Sequence, residues 1–406
     1  LFVLHSWVDH RSFNDEHAFK SNNYGSLGNA ARLQGRALTL MPRILPSLPF
    51  LEAMRHIRRS KDCFLVPEAF LTPWNLLHAC LRWAIQALPD RRPWPDFDGV
   101  QVQEILRWED WDNWSGNRGV DASLYFYIIS NYRSEGLEIA SFVYTYENQI
   151  IEKALLCALR RHYPMTRLLG YAHGAFSLNQ LNFFPSPIER SSFPTPDLLM
   201  ANGKIYQTAL RSAHPEPGRV RNPGAVRFDY IFRHPPTLSK RGAGRKILVA
   251  CSIGREQAIE LVETALTAFR DRPDLTVVIK PHPSTPISSF SRYLSIFPFP
   301  PHVTSSDAPM SHHLEDSDVF VYTETSSAVE ALFYGLPLIH VSSSYNIDID
   351  VLDHLPQTRL QAFTPKDLVQ GVDSVLLAAG PKKTPHPAAE EFLQPVSPGT
   401  YDEFLA

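Results

Sequence analysis

The chain has 406 residues, of which 44% are hydrophobic and 20% are charged, as in a globular protein with two domains of ordinary size. Lys and Arg number 39 and Asp and Glu number 42, so the net charge of −3 gives no basic excess for binding nucleic acid. No apolar run approaches the roughly 20 residues that span a bilayer. The first five residues are too short for a signal peptide and lack its basic leader.

The four cysteines are scattered along the chain, at Cys63, Cys80, Cys157 and Cys251, and form no CxxC pair. This spacing excludes a zinc ribbon and indicates reduced thiols. We therefore expect a cytoplasmic protein, with peripheral attachment at the inner face of the cytoplasmic membrane left open.

The first predicted strand, over residues 1–4, leads into a polar turn that contains Asp9 and Arg11. Ligands of open α/β sheets bind at the carboxyl ends of the strands, so either side chain is a candidate to face a substrate. A surface ion pair explains the two residues equally well. Further strands are predicted over residues 38–41 and 64–66, and the Trp-rich stretch over residues 89–119 fits a packed helical insertion better than a sugar-binding surface.

Glu147 lies between a predicted strand over residues 139–144 and a predicted helix over residues 150–161. The helix dipole stabilises an anion at this place, so Glu147 is either an ordinary first-turn glutamate or a catalytic or substrate-binding carboxylate. Two more strands, over residues 167–171 and 198–201, end in His173 and Asn202. Polar residues thus follow several strands of the first half.

A segment rich in Pro, Gly and basic residues, 234–244, separates the two halves of the chain. It predicts an N-terminal domain over residues 1–234 and a C-terminal domain over residues 235–379. The Pro-rich tail over residues 380–406 is expected to cross back to the first domain. Strands alternate with helices in both halves, which predicts an α/β protein of two Rossmann-like domains facing each other across a cleft.

Three strand ends of the second half carry groups that suit a phosphate. A small turn follows the strand over residues 246–251, a cation and an imidazole follow the strand over residues 275–279, and hydroxyls follow the strand over residues 319–322. The predicted nucleotide-binding residues are Ser252, Gly254, Lys280, His282, Pro283, Thr325, Ser326 and Ser327. Free N–H groups at a helix start add to such a site, although Ser326 by itself is more simply a helix cap.

Common nucleotide motifs are missing from the sequence. No GxGxxG follows a first strand, which argues against NAD or FAD, and no Walker A sequence is present. Asp348 and Asp350 form a DxD-like pair that could bind a metal ion, but it lies late in the chain without a partner motif. We therefore expect neither a cofactor nor a metal ion.

The C-terminal pattern of a strand, Ser326-Ser327, Glu330-Ala331 and Gly335-x-Pro337 resembles the nucleotide-sugar domain of GT-B glycosyltransferases. His282-Pro283 with Ser326-Ser327 is similar to motifs of bacterial transferases that use CMP-activated sugars, namely the sialyl- and Kdo transferases. The N-terminal stretches 7–13 and 146–149 look like those of surface-carbohydrate biosynthesis proteins. The resemblance implies that His282 and the serine pair contact the nucleotide phosphate. The acidic residue that houses the base in sialyltransferases has no match, because Phe97 precedes Asp98-Gly99.

The resemblance implies transfer of a sugar from a nucleotide donor, favoured to be CMP-Kdo or CMP-sialic acid, to a hydroxyl of a capsule, O-antigen or lipopolysaccharide acceptor. An inverting transfer needs one base to take the acceptor proton, and the candidates are Glu147, then Asp9, then His173. A retaining transfer would need a carboxylate nucleophile instead. Arg11, Asn148 and Asn202 are the predicted acceptor-binding residues. The expected partners are a nucleotide sugar and a glycan or lipid-linked glycan, with a polysaccharide-assembly complex left open.

Two other functions fit the same pattern. A His-Pro motif also occurs in CDP-glycerol-type phosphotransferases, and a UDP-sugar epimerase would use the same scaffold. A non-catalytic scaffold of polysaccharide assembly is the third alternative, although it has no need of polar strand ends in both halves.

Overall fold

A computed structural model describes residues 1–14, 17–35, 37–86, 99–115, 118–236, 245–378 and 383–405 of the chain. The predicted linker over residues 234–244 and the insertion over residues 89–119 therefore lie partly outside the described residues, and Asp98 lies wholly outside them. The parts of the chain around the two sheets described next are called the first lobe and the second lobe.

The first lobe is built on a parallel sheet with the strand order β3-β2-β1-β4-β5-β6-β7. The order reverses beside β1, so the carboxyl ends of β1 and β4 form the kind of switch point at which ligands of open α/β sheets bind. The strands of this sheet are β1 Phe2–Val8, β2 Leu38–Ile44, β3 Cys63–Phe64, β4 Ser141–Thr145, β5 Arg167–Tyr171, β6 Leu198–Met200 and β7 Val220–Arg221.

The second lobe repeats this plan with the order β10-β9-β8-β11-β12-β13, and its switch point lies between β8 and β11. Its central strands are buried along most of their length, which explains apolar runs such as that of Val319–Tyr322. The predicted α/β fold of two Rossmann-like units is confirmed. The strands are β8 Arg245–Ala250, β9 Leu275–Lys280, β10 Val303–Ser305, β11 Val319–Tyr322, β12 Leu338–Val341 and β13 Leu360–Ala362.

Helices connect the strands of both sheets and cover their faces. Those of the first lobe are α1 Leu27–Leu33, α2 Phe50–Arg59, α3 Pro73–Gln86, α4 Gln103–Ser115, α5 Arg118–Ser134, α6 Ile150–His162, α7 Pro187–Ser192, α8 Lys204–Ala213 and α9 Asp229–Arg233. The remaining ones are α10 Arg255–Phe269, α11 Met310–Asp316, α12 Ser327–Phe333, α13 Pro365–Ala378, α14 Ala389–Phe392 and α15 Pro398–Leu405. Within the described residues, no helix is long and apolar enough to cross a membrane.

One predicted strand is corrected. The first strand does not end at residue 4 but continues to Val8, because His5 and Ser6 are buried in the middle of the sheet despite their polarity. The edge strand Val220–Arg221 of this sheet is short. Pro223 cannot donate to a strand ladder, and Gly224 has a φ of +108°, so the chain turns away from the sheet there.

The C-terminal tail packs on both lobes. α14 contacts α8 of the first lobe and α12 of the second. The Gln394 backbone accepts a hydrogen bond from Ala225 N (2.8 Å). Phe404 then packs edge-on against Tyr171 in the core of the first lobe, with 5.4 Å between the ring centroids. The tail thereby ties the two lobes together.

We expect Gly335→Ala to destabilise the protein by about 2 kcal/mol or more. Gly335 follows α12 with a φ of +64°, and a Cβ atom there would lie 2.3 Å from the Thr384 backbone oxygen of the tail. The matched control is Gly136→Ala, which has a φ of +75° and no atom within 4 Å of the added Cβ. Its expected cost is about 1 kcal/mol. Urea unfolding measures both, and equal losses would contradict the close packing of the tail on α12.

Candidate active site

The carboxyl ends of the two sheets enclose a cavity of about 740 Å³, here called the inter-lobe chamber. His282 and Ser326 both line it, so the groups predicted to hold a phosphate do converge on one groove between the lobes. Its walls from the first lobe include Trp7, Asp9, Arg11, Asn22, Glu147, His173 and Arg227. Its walls from the second lobe include Lys280, His282, Pro283, Asp307, Glu324, Thr325, Ser326, Ser327 and Glu330.

A second cavity, of about 580 Å³, is lined by first-lobe residues alone and is called the first-lobe chamber. It shares Glu147 and His173, together with the loop residues Gly174, Ala175 and Gln180, with the inter-lobe chamber. Its other walls include Arg43, Arg118, Asn148, Gln149, Lys153 and Asn182. Glu147 and His173 therefore lie at the boundary between the first-lobe chamber and the inter-lobe chamber.

His282 presents a neutral imidazole to the inter-lobe chamber. Burial, with the positive charges of Arg11 and Lys280, lowers its pKa to about 4. Its Nδ1 accepts a hydrogen bond from Ser284 N (3.1 Å), so the neutral ring carries its proton on Nε2. Thr285 fixes this turn by donating from Oγ1 to Ile253 O (2.6 Å). His282 can therefore donate one hydrogen bond to an anion without being charged.

Lys280 is a buried cation at the carboxyl end of β9, with 8% of its surface exposed. Burial lowers its pKa, and the nearby Asp307 opposes that shift. Within the described part of the chain, its side chain has neither an ion pair nor a hydrogen bond. A buried ammonium without a partner is costly, so this position favours an anionic ligand.

The hydroxyls of Thr325 and Ser326, which follow β11, have different roles. Thr325 Oγ1 accepts a hydrogen bond from Ser327 N (3.3 Å) at the start of α12. Ser326 stands at the cap position, but its side chain makes no capping bond. The capping role considered for Ser326 is therefore taken by Thr325, and the Ser326 hydroxyl lines the chamber.

Ser252 and Gly254 stay predictions as phosphate-binding residues. Ser252 is 1% exposed, and its hydroxyl donates to Gly254 O (3.2 Å) within the same turn. Neither residue lines the inter-lobe chamber, whereas their neighbours Cys251 and Ile253 do. The sequence alone did not distinguish which residues of this turn line the chamber.

Glu147 is not the capping glutamate of α6. That role belongs to Glu152, whose carboxylate accepts hydrogen bonds from Glu147 N (2.9 Å) and Gln149 N (3.3 Å). The Glu147 carboxylate instead points to the two chambers, 3.8 Å from His173 Nε2. Burial raises its pKa, and the charges of Arg227 and Arg43 oppose that shift. A carboxylate with a raised pKa is a better proton acceptor near neutral pH.

Asp9 is held in a tight ion pair and is a weaker candidate for a base. Arg11 donates to it from Nε (3.0 Å), from Nη2 (2.5 Å) and from its backbone N–H (2.8 Å). Asn22 adds a fourth bond (3.1 Å). Burial raises the pKa of Asp9, but the contacts with Arg11 outweigh it, so the pKa ends below its usual range. Arg11 lines the inter-lobe chamber and not the first-lobe chamber.

Among the described residues, one ring nitrogen of His173 has no hydrogen-bond partner, whereas the amide of Asn148 is already hydrogen-bonded. Burial and the charge of Arg227 hold the pKa of His173 well below 6.5, so the ring is neutral. Its Nδ1 has no hydrogen-bond partner among the described residues. The Asn148 amide lines the first-lobe chamber but already donates to Asn182 O (2.9 Å) and Glu189 Oε1 (3.1 Å).

Asn202, a predicted acceptor-binding residue, lies in neither chamber wall and is 0% exposed. Its Nδ2 donates to Ala172 O (2.9 Å), and its Oδ1 accepts from the Tyr171 hydroxyl (2.6 Å). The side chain thus joins the ends of β5 and β6. A polar residue at a strand end can serve the sheet as well as a ligand, and the sequence does not separate the two.

Arg227 is the main residue that sequence analysis missed. It lines the inter-lobe chamber, and its charge acts on Glu147, His173, His282 and Glu330. Within the described residues, its guanidinium makes no ion pair and only stacks over Phe228, 5.3 Å from the ring centroid. Arg227 lies in a short turn after the strand Val220–Arg221, and no local sequence pattern marked it.

The DxD-like pair serves the second lobe internally. Asp348 lies 3.2 Å from His340 Nε2, and Asp350 accepts from the Tyr322 hydroxyl (2.8 Å) and pairs with Arg359. Neither lines a chamber. Among the described residues, no group of three or more His, Cys, Asp or Glu side chains could hold a metal ion.

Comparison with solved structures shows the fold. The chain aligns over its whole length with a candidate UDP-N-acetylglucosamine 2-epimerase from Listeria monocytogenes (14% identity, 95% of that chain, TM-score 0.54). It aligns equally with the UDP-GlcNAc 2-epimerase of Neisseria meningitidis bound to UDP-GlcNAc (10%, 98%, 0.52) and with the glycosyltransferase SnogD of Streptomyces nogalater (12%, 98%, 0.52). No protein-family model and no curated protein matches the chain. The fold is therefore that of GT-B glycosyltransferases and UDP-GlcNAc 2-epimerases.

Proposed function

We propose that the protein is a glycosyltransferase that moves a sugar from a nucleotide donor to a hydroxyl of a glycan acceptor. The observation that carries the proposal is the pair of adjoining chambers with Glu147 at their boundary. The inter-lobe chamber would hold the nucleotide sugar, with its phosphate on Lys280, His282 and Ser326. The first-lobe chamber would hold the acceptor.

The reaction follows from this arrangement as a single displacement. The acceptor hydroxyl oxygen attacks the anomeric carbon of the donor sugar, and the bond from that carbon to the phosphate oxygen breaks. Glu147 takes the hydroxyl proton, and the nucleotide leaves with the bonding electron pair. The neutral His282 donor, the Lys280 ammonium and the Ser326 hydroxyl stabilise the charge that grows on the phosphate.

A UDP-sugar 2-epimerase is the second candidate, favoured by the structural similarity to two such enzymes, one of them bound to UDP-GlcNAc. An epimerase converts one substrate and needs no separate acceptor. The second chamber, lined only by the first lobe, supports the transferase.

Two observations point to different bases in the nucleotide donor. The resemblance of His282-Pro283 and Ser326-Ser327 to CMP-sugar transferases favours CMP, whereas the structural neighbour from Neisseria meningitidis holds UDP-GlcNAc. CDP would point to glycerophosphate transfer instead. The phosphate contacts proposed here are common to all of them.

A thermal-shift screen with CMP, CDP, UDP and GDP tests the proposal. We expect one of them to raise the melting temperature, since a ligand at about a hundred times its Kd stabilises the folded state by about 2.7 kcal/mol. His282→Ala should reduce that shift. Stabilisation by none of the four nucleotides would favour a non-catalytic scaffold. Conversion of UDP-GlcNAc without any acceptor would favour the epimerase.

A further inference from the structure

The walls of the first-lobe chamber carry more positive than negative side chains. Among the described residues, its charged walls are the cations Arg43, Arg118 and Lys153 and the carboxylate of Glu147. His173 adds no charge, because burial and Arg227 hold its pKa well below 6.5. The chamber therefore favours a ligand with a negative charge.

Two of these cations lack a close partner. Lys153 is paired with Glu189, so its charge is already compensated. Arg43 is 4.0 Å from Asp121, and Arg118 is 3.9 Å from Asp112, both beyond hydrogen-bond distance. Neither guanidinium has a hydrogen-bond acceptor in the part of the chain that the structure describes. Within that part of the chain, the N–H donors of both guanidiniums are available to a ligand.

Arg43 is held in place by an aromatic contact, whereas Arg118 is largely exposed. The guanidinium of Arg43 stacks on Trp7 at 5.3 Å from the ring, and Trp7 is fixed by its bond from Nε1 to Thr145 Oγ1 (3.2 Å). The Arg118 side chain is 62% exposed, so packing in the fold does not account for its position.

The donor phosphate does not account for these cations either. Neither Arg43 nor Arg118 lines the inter-lobe chamber, in which Lys280, His282 and Arg227 face the proposed phosphate position. The charge in the first-lobe chamber is thus left for the other substrate.

We infer that the acceptor is an anionic sugar, with a carboxylate or a phosphate close to the hydroxyl that reacts. This inference rests on the proposed function, because it assigns the first-lobe chamber to the acceptor. The planar forks of Arg43 and Arg118 match the geometry of either anion. Holding the anion there would fix the sugar with its nucleophilic hydroxyl toward Glu147.

Ligand-observed NMR titrations of glucuronic acid, glucose 6-phosphate and glucose test the inference near neutral pH. Saturating nucleotide from the thermal-shift screen keeps the probes out of the inter-lobe chamber. We expect the better anionic sugar to bind on the order of tenfold more tightly than glucose, as one charge-assisted contact allows. The two anionic probes distinguish carboxylate from phosphate recognition.

The double substitution Arg43→Gln with Arg118→Gln should remove this preference, whereas Arg58→Gln, on the exposed face of α2, should keep it. Matching melting temperatures of the variants show that the fold is retained. Equal binding of glucose and both anionic sugars, no binding of either anionic sugar, or a preference that survives the double substitution overturns the inference. If no nucleotide binds in the screen, the proposed function fails separately, and the titration without nucleotide still decides the charge preference.

Discussion

Glu147→Gln is expected to lower turnover by about 10²- to 10⁴-fold while leaving nucleotide affinity unchanged, because positioned general bases contribute rates of this order. The amide keeps the shape of the carboxylate but cannot take a proton. The carboxylate lies at the boundary of both chambers, whereas the residues proposed to bind the phosphate come from the other lobe. Single-turnover kinetics with the donor found in the screen, together with a nucleotide titration, separate the two effects.

The matched control is Glu109→Gln, an exposed glutamate of α4 outside both chambers, which should behave as the wild type.

The pH profile supplies a second signature. Burial raises the pKa of Glu147 from 4.5, so activity should rise with pH through a value above the ordinary range of a glutamate. His282 has a pKa of about 4 and stays neutral across this limb. Unchanged turnover in Glu147→Gln would remove Glu147 from the mechanism.

Lys280→Met is expected to weaken nucleotide binding by about 10- to 100-fold, since a hydrogen bond to a charged group contributes roughly 1.5–3 kcal/mol. Met keeps much of the length and apolar stem of the lysine but has no ammonium. Because Lys280 is buried without an ion pair, the variant should fold at least as stably as the wild type in the absence of nucleotide.

Isothermal titration calorimetry measures this loss, and Lys366→Met, on the exposed surface of α13, is the control. We expect Lys280→Met to lower the nucleotide affinity without lowering the stability of the nucleotide-free protein. This combination distinguishes a ligand-binding role of Lys280 from a role in the fold. A variant that loses stability and keeps its affinity would show that Lys280 serves the fold and not a ligand.

The fold was largely predictable from the sequence because parallel strands buried on both faces form continuous apolar runs. The strands Val319–Tyr322 and Arg167–Tyr171 were predicted with their observed bounds. The first strand was predicted too short, because His5 and Ser6 are polar residues that the sheet buries completely. Polarity alone is a poor guide to the end of a central strand.

The sequence predicted where the candidate site lies but not which residues form it. Strand ends locate the ligand edge of each sheet, which is why His282, Ser326 and Glu147 all line chambers. Which side chain of a turn faces the chamber depends on local torsions, and the structure places Ser252 and Asn202 outside both chamber walls. Arg227 reaches the centre of the site from a turn that follows an edge strand, and no local pattern marked it.

The most direct test of the account is a crystal structure of the protein with the nucleotide that the screen identifies. The account predicts the nucleotide in the inter-lobe chamber, with phosphate oxygens within hydrogen-bond distance of Lys280 Nζ, His282 Nε2 and the Ser326 hydroxyl. A nucleotide whose phosphate lies in the first-lobe chamber on Arg43, or outside both chambers, would contradict it.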